Sequence, residues 1–134
     1  MNVGKKVTIL AGAGVAGAHD QLLAIAEALK APVVHALRGK EHIEYDNEFD
    51  VGMTGLLGFA SGARAMEGCD TLLMLGTDFP YQQFYPDATT IQIDIRGEQL
   101  GRRTHLDHAM VGGVRETVDA LLPRLEAKTD RTHL

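Results

Sequence analysis

Residues 9–20, ILAGAGVAGAHD, carry Gly12, Gly14 and Gly17 at G-x-G-x-x-G spacing directly after an apolar run. Glycines at that spacing, between a strand and a helix, let backbone N–H groups approach a pyrophosphate. The triplet fits a dinucleotide turn, and it also fits a plain glycine turn. An NAD site would add a carboxylate about 20 residues further on. That window is PVVHALRGK, with His35, Arg38 and Lys40 and no acid before Glu41. Arg38 and Lys40 could meet a 2′-phosphate or could simply be solvated, and His35 is expected to touch a ligand rather than to move protons. Asp94, in IQIDI, shares a strand face with Gln92, so it is either a ribose acceptor or a capping aspartate.

The segment GTDFPYQQFYP concentrates Phe79, Tyr81, Phe84 and Tyr85 in one loop. Such a loop could give a planar ring flat contacts, or pack on its own core or a neighbouring subunit. Other reactive types lack partners at useful spacing. HLDH (105–108) has no accompanying metal motif, and Ser61 in FASGA is no G-x-S-x-G elbow. Cys69 reads as a small core residue, and Asp46, Glu48 and Asp50 as solvated loop acids.

The elements that must position these residues alternate. KVTILAG (6–12), PVVHAL (32–37), CDTLLMLG (69–76), TTIQIDI (89–95) and HAMVGG (108–113) read as strands. AHDQLLAIAEALKA (18–31) is helical, with Leu22, Ile25, Ala26 and Leu29 on one side. GLLGFASGARAMEG (55–68) is helix-compatible, and Gly62 and Ala63 would let it lie close to a sheet or a ligand. VRETVDALLPRLEAK (114–128) is amphipathic, with Val114, Val118, Leu121, Leu122 and Leu125 inward and a bend at Pro123. Residues 38–53 read as a polar surface loop with one helical turn. The expectation is an α/β, Rossmann-like domain: a doubly wound, mainly parallel sheet of about six strands with helices on both faces. Its ligand edge would gather Gly12–Gly17, MTGLLG, GTDFPY and the end of IQIDI.

The chain has 134 residues, 45% hydrophobic and 23% charged, enough for one domain. A net charge of −5, with both signs dispersed, argues against nucleic acid or anionic membrane as its main partner. No apolar run reaches the roughly 18 residues of a membrane span. The start MNVGKKVTIL lacks a signal-peptide core, and a single cysteine suits the cytoplasm.

HALRGKEHIEYDN, GMTGLLGF and FPYQQFYP, with GAGVAGAH, IQIDI and ALLPRLEAK around them, carry a further signal. Over nearly the whole chain the sequence closely resembles the central domain of bacterial pyruvate oxidases of the quinone-reducing type, also called pyruvate dehydrogenase (quinone). The resemblance implies a flavoenzyme of three α/β domains, with FAD in the central one and thiamine diphosphate and Mg²⁺ held by the first and third. Pyruvate is decarboxylated to acetate, and two electrons pass through the flavin to a quinone. By the same resemblance, FAD contacts fall on Thr54, Gly55, Leu56 and Leu57, on Thr77, Asp78, Phe79, Pro80 and Tyr81, and on Asp94. The turn at Gly12 and Gly14 would approach the same cofactor.

The glutamate and the G-D-G…N metal motif of that family's thiamine site are not in this sequence, nor is its C-terminal lipid-binding peptide. Residues 1–134 therefore read as one FAD-binding domain excised from a larger enzyme, not active alone. Its partners would be the first and third domains and, in the full-length protein, further copies. The parent would be cytoplasmic, either free or peripheral to the inner membrane face. A non-catalytic assembly domain and an independent NAD(P)-binding domain stay open as alternatives.

Overall fold

In a computed structural model, which describes residues 1–58 and 60–134, six strands form one sheet. They are β1 (Val7–Ala11), β2 (Val33–His35), β3 (Asp50–Met53), β4 (Thr71–Leu75), β5 (Thr89–Asp94) and β6 (His108–Val111). Every pairing is parallel, in the order β3-β2-β1-β4-β5-β6. Parallel strands must be joined by crossovers, and here α1 (His19–Leu29), α2 (Lys40–Ile43), α3 (Ala60–Gly68) and α4 (Val114–Leu121) lie in the connections and after the last strand.

Alternation along the strands divides the core in two. Val7, Ile9, Ala11, Leu73, Leu75, Ile91 and Ile93 face α1 and α4, whose Leu22, Ile25, Leu29, Val114 and Val118 meet them. Leu10, Val34, Leu72 and Met74 face the other way, onto Ala65 and Met66 of α3 and Phe79 of the aromatic loop. Each fully buried leucine or isoleucine contributes roughly 1.5–3 kcal/mol, so β1 and β4, buried along their whole length, anchor the sheet. Thr8 lies on the α3 side, where its hydroxyl donates to Ala65 O at 2.7 Å. The fold is thus the expected Rossmann-like one, with helices on both faces.

Three local expectations are corrected. Residues 38–53 are not simply a loop: they contain α2 and the edge strand β3, which pairs with β2 across a register shift. The helix expected over 55–68 begins at Ala60, after a turn at Gly55 with φ +104°; Phe59 lies outside the described residues. Gly62 lets α3 close on β3, since a Cβ there would stand 2.7 Å from Met53 O. The C-terminal helix stops at Leu121, and Pro123 starts a tight 3₁₀ turn over Leu122–Arg124. Leu121, Leu122 and Leu125 still pack on the first core cluster.

The polypeptide is clasped where the strands begin. Asn2 Nδ2 donates to Arg124 O (3.1 Å), and Asn2 Oδ1 accepts from Glu126 N (2.9 Å). Asp70 Oδ2 accepts from Lys5 N and Lys6 N, both at 3.0 Å, binding the approach to β1 against the approach to β4.

Candidate cofactor cleft

Between β1 and β4 the strand order reverses, and the crevice beyond such a switch point is where open α/β sheets bind ligands. A cleft of about 830 Å³ lies there, within the usual range for small-molecule sites. Its floor is the turn after β1 and the turn after β4. Gly12 N–H donates to Leu75 O (3.0 Å) and Gly14 N–H to Gly76 O (2.9 Å). A Cβ on Gly14 would stand 2.5 Å from Gly76 Cα. The two turns touch backbone to backbone.

Of the two readings of the triplet, this favours the plain glycine turn at Gly12 and Gly14. The Gly12 and Gly14 amides are already used inside the protein, and α1 begins only at His19. Gly17 has φ +74° and open space around it, away from the cleft. The helix whose first residues line the cleft is α4, through Gly113 and Val114. Arg38, Arg96 and Arg103 also line it. Arg96, Arg103, Gly113 and Val114 are site residues that sequence reasoning missed, although Gly112-Gly113 between a strand and an amphipathic helix repeats the pattern seen at Gly12.

Of the residues expected at the site, Gly12, Gly14, Thr54, Leu56 and Leu57 line the cleft. So do Thr77, Asp78, Phe79, Pro80, Tyr81 and Asp94. Gly55 stands behind the wall, where its φ of +104° turns the chain and a Cβ would press the Phe79 ring at 3.1 Å. Leu56 and Leu57 are about two-thirds exposed, and with Leu37 and Ile95 they give the rim uncovered apolar surface. Thr54 Oγ1 is buried without a hydrogen-bond partner among the described residues. A lone buried hydroxyl costs free energy unless something pairs with it.

The carboxylates divide their work. Asp78 is held by Arg103, Nε to Oδ1 at 3.0 Å and Nη2 to Oδ2 at 3.2 Å, with Arg102 Nη1 at 3.4 Å. Its side chain therefore fastens the loop after β4 to the segment before β6. Asp94, 5% exposed, does cap the chain, since Oδ1 accepts from Arg96 N at 2.9 Å. Its other oxygen has no partner among the described residues. Gln92, on the same strand face, is a brace: Nε2 donates to Thr77 O (3.3 Å) and Oε1 accepts from Gly101 N (3.1 Å).

The aromatic loop packs on itself and on the second core cluster. Phe79 meets Tyr81 and Tyr85 edge-on, at 5.4 and 5.7 Å between centroids. Tyr85 Oη donates to Phe79 O at 2.6 Å; burial, aided by Asp78, pushes its phenol well above the usual range. Two side chains stand elsewhere than expected. His35 does not line the cleft; it is 1% exposed, with Nδ1 2.8 Å from Asp50 Oδ1 and Nε2 3.3 Å from Glu44 Oε1. Asp50 is accordingly a β3 residue bound to a histidine, not a solvated loop acid. Cys69 is buried as expected, and burial raises its thiol to about 11.

The family profile described as "Thiamine pyrophosphate enzyme, central domain" matches residues 1–121. The chain belongs to this family. It is 64% identical, over its whole length, to an uncharacterized 42.6 kDa protein from the isoamylase 3′ region of Pseudomonas amyloderamosa, of which it covers 34%. It is 36% identical over its whole length to a putative thiamine pyrophosphate-containing protein, YdaP, of Bacillus subtilis, covering 24% of that protein. With the acetolactate synthase large subunit of Corynebacterium glutamicum it shares 32% identity over 96% of the chain and 22% of the relative. The chain thus spans about a third or less of these relatives, and the match places it as a central domain.

Proposed function

We propose that this central domain binds FAD in the cleft, as part of a longer thiamine diphosphate-dependent pyruvate:quinone oxidoreductase that yields acetate and CO₂. The observation that carries the reading is the Thr54 hydroxyl, buried and unpartnered among the described residues, in a cleft lined by the segments that the resemblance assigns to flavin contact. FAD, when bound, supplies a two-electron acceptor. Around it, Thr54 donates a hydrogen bond, and Leu56 and Leu57 exclude water from a planar ring. The free oxygen of Asp94 accepts from ribose hydroxyls, and Arg38 and Arg96 offset diphosphate charge. Thiamine diphosphate and Mg²⁺ would be held by the longer protein's other domains. Those domains, and further copies of the protein, are the proposed partners in the cytoplasm.

Titration of the chain with FAD, followed by flavin fluorescence and thermal shift, tests this. Saturable binding is expected, in preference to NAD or NADP. Asp94→Ala should weaken it by roughly ten- to a hundredfold, as loss of a charge-assisted hydrogen bond does. Thr54→Val should cost roughly three- to tenfold. No saturation by about 1 mM FAD, roughly 4 kcal/mol of affinity, would overturn the reading and favour an assembly role.

The relatives named acetolactate synthase favour a second reading of the longer protein, in which it makes acetolactate. Product analysis of the full-length protein with pyruvate separates the two. Acetate formed in step with quinone reduction supports the oxidoreductase, and acetolactate without quinone reduction supports the alternative.

A further inference from the structure

His35, Glu44 and Asp50 come together outside the cleft, where the end of β2 meets α2 and β3. One donor atom from each lies within 4.8 Å of the others. Asp50 Oδ1, 2.8 Å from His35 Nδ1, can only accept when ionised, so the imidazole proton stands on Nδ1. That leaves the Nε2 lone pair buried and without a hydrogen-bond partner among the described residues. Glu44 Oε1 stands 3.3 Å from it. Two lone pairs at that separation repel unless a cation joins them. The alignment is too poor for a hydrogen bond, but the spacing matches the edge of a tetrahedron built on metal bonds of about 2.0–2.1 Å.

We propose that His35 Nε2 and Glu44 ligate a divalent borderline transition ion of the zinc type, with Asp50 fixing the imidazole. A carboxylate on the far nitrogen of a metal-bound histidine is a recurring outer-shell arrangement, which sets the tautomer and raises basicity. The buried nitrogen disfavours Mg²⁺ and Ca²⁺, which take oxygen donors. Glu44 opens onto a shallow hollow that it lines with Lys40 and His42, so an ion has a route in and water can fill the remaining positions. The competitor is Lys40, whose half-exposed ammonium bonds Glu44 Oε1 at 2.9 Å and must swing away. The proposal is independent of FAD.

Zinc titration against a chromophoric chelator, with thermal shift alongside, tests it on the intact chain. Saturable one-to-one binding and a raised Tm are expected, with no response to Mg²⁺. Asp50→Asn should weaken affinity roughly ten- to a hundredfold, and Lys40→Gln should strengthen it. Glu44→Gln, at a partly exposed position, should lose binding while circular dichroism stays native, which guards against an unfolded His35→Gln. Absence of zinc binding in both the native chain and Lys40→Gln would overturn the proposal. So would equal binding by native chain and Glu44→Gln, or a stabilisation that follows acidity alone, since a proton would then bridge the pair.

Discussion

At Gly14 the backbone meets the backbone of Gly76, and no side chain can stand between them. Gly14→Ala forces the turns after β1 and β4 apart and strains the Gly14 N–H bond to Gly76 O. Overpacking of this kind costs typically about 1–3 kcal/mol, so the variant should show a lower urea midpoint. FAD binding should weaken with it, because the same turns floor the cleft. The glycine spacing was legible in the sequence; its purpose was not. G-x-G-x-x-G is read as a phosphate turn because strand-to-helix geometry frees its amides. Here the helix starts too late, and the neighbouring strand's carbonyls take those amides instead. Asp94 was read more fully, since strand alternation put it beside Gln92, although its capping bond to Arg96 N depends on a turn that periodicity does not reveal.

Among the elements, β1, β4 and β5 were plain in the sequence because each is a continuous or alternating apolar run buried by helices. The edge strand β3, DVGM, has neither pattern: only Met53 is buried, and its partner β2 is three residues long. Its place is set by tertiary contacts, the His35–Asp50 pair among them, which sequence spacing cannot express. Likewise α4 fits the amphipathic pattern to residue 128, but Pro123 outranks periodicity and ends the helix.

The joint between the leads into β1 and β4 depends on Asp70. Partial burial would raise its carboxyl, but the Thr71 hydroxyl and the Lys6 and Lys5 amides outweigh this and hold it below the usual carboxylate range. The unfolded chain therefore binds the proton more readily, and stability from this joint is complete at neutral pH and is lost as pH falls through the lowered folded value. Asp70→Asn should cost about 1 kcal/mol at pH 7, as an exposed charge-assisted bond does. The deficit should shrink toward zero in acid-denaturation curves below about pH 4.

For the molecule as a whole, the sheet ends on two edge strands, β3 and β6. Among the described residues the outer edge of β6 is unpaired, with Ala109 and Val111 exposed and Ile95 just beyond β5 in sequence. An uncovered apolar edge strand invites pairing with another chain. Val111→Lys should reduce concentration-dependent association in sedimentation or light scattering, while leaving Tm within about 0.5 kcal/mol equivalent. Where the strands begin, the Asn2 clasp to Arg124 and Glu126 brings sequence positions more than 120 apart within hydrogen-bond reach. In topological terms the backbone is nearly a closed ring. A short bridge from the Lys128 region to Asn2 would complete it. The ring could then be reopened at the exposed Asp87, ahead of β5, to give a circular permutant that keeps the strand order and the cleft lining but gives up the contacts Met1 and Leu134 make with the core and His133 makes with Thr8.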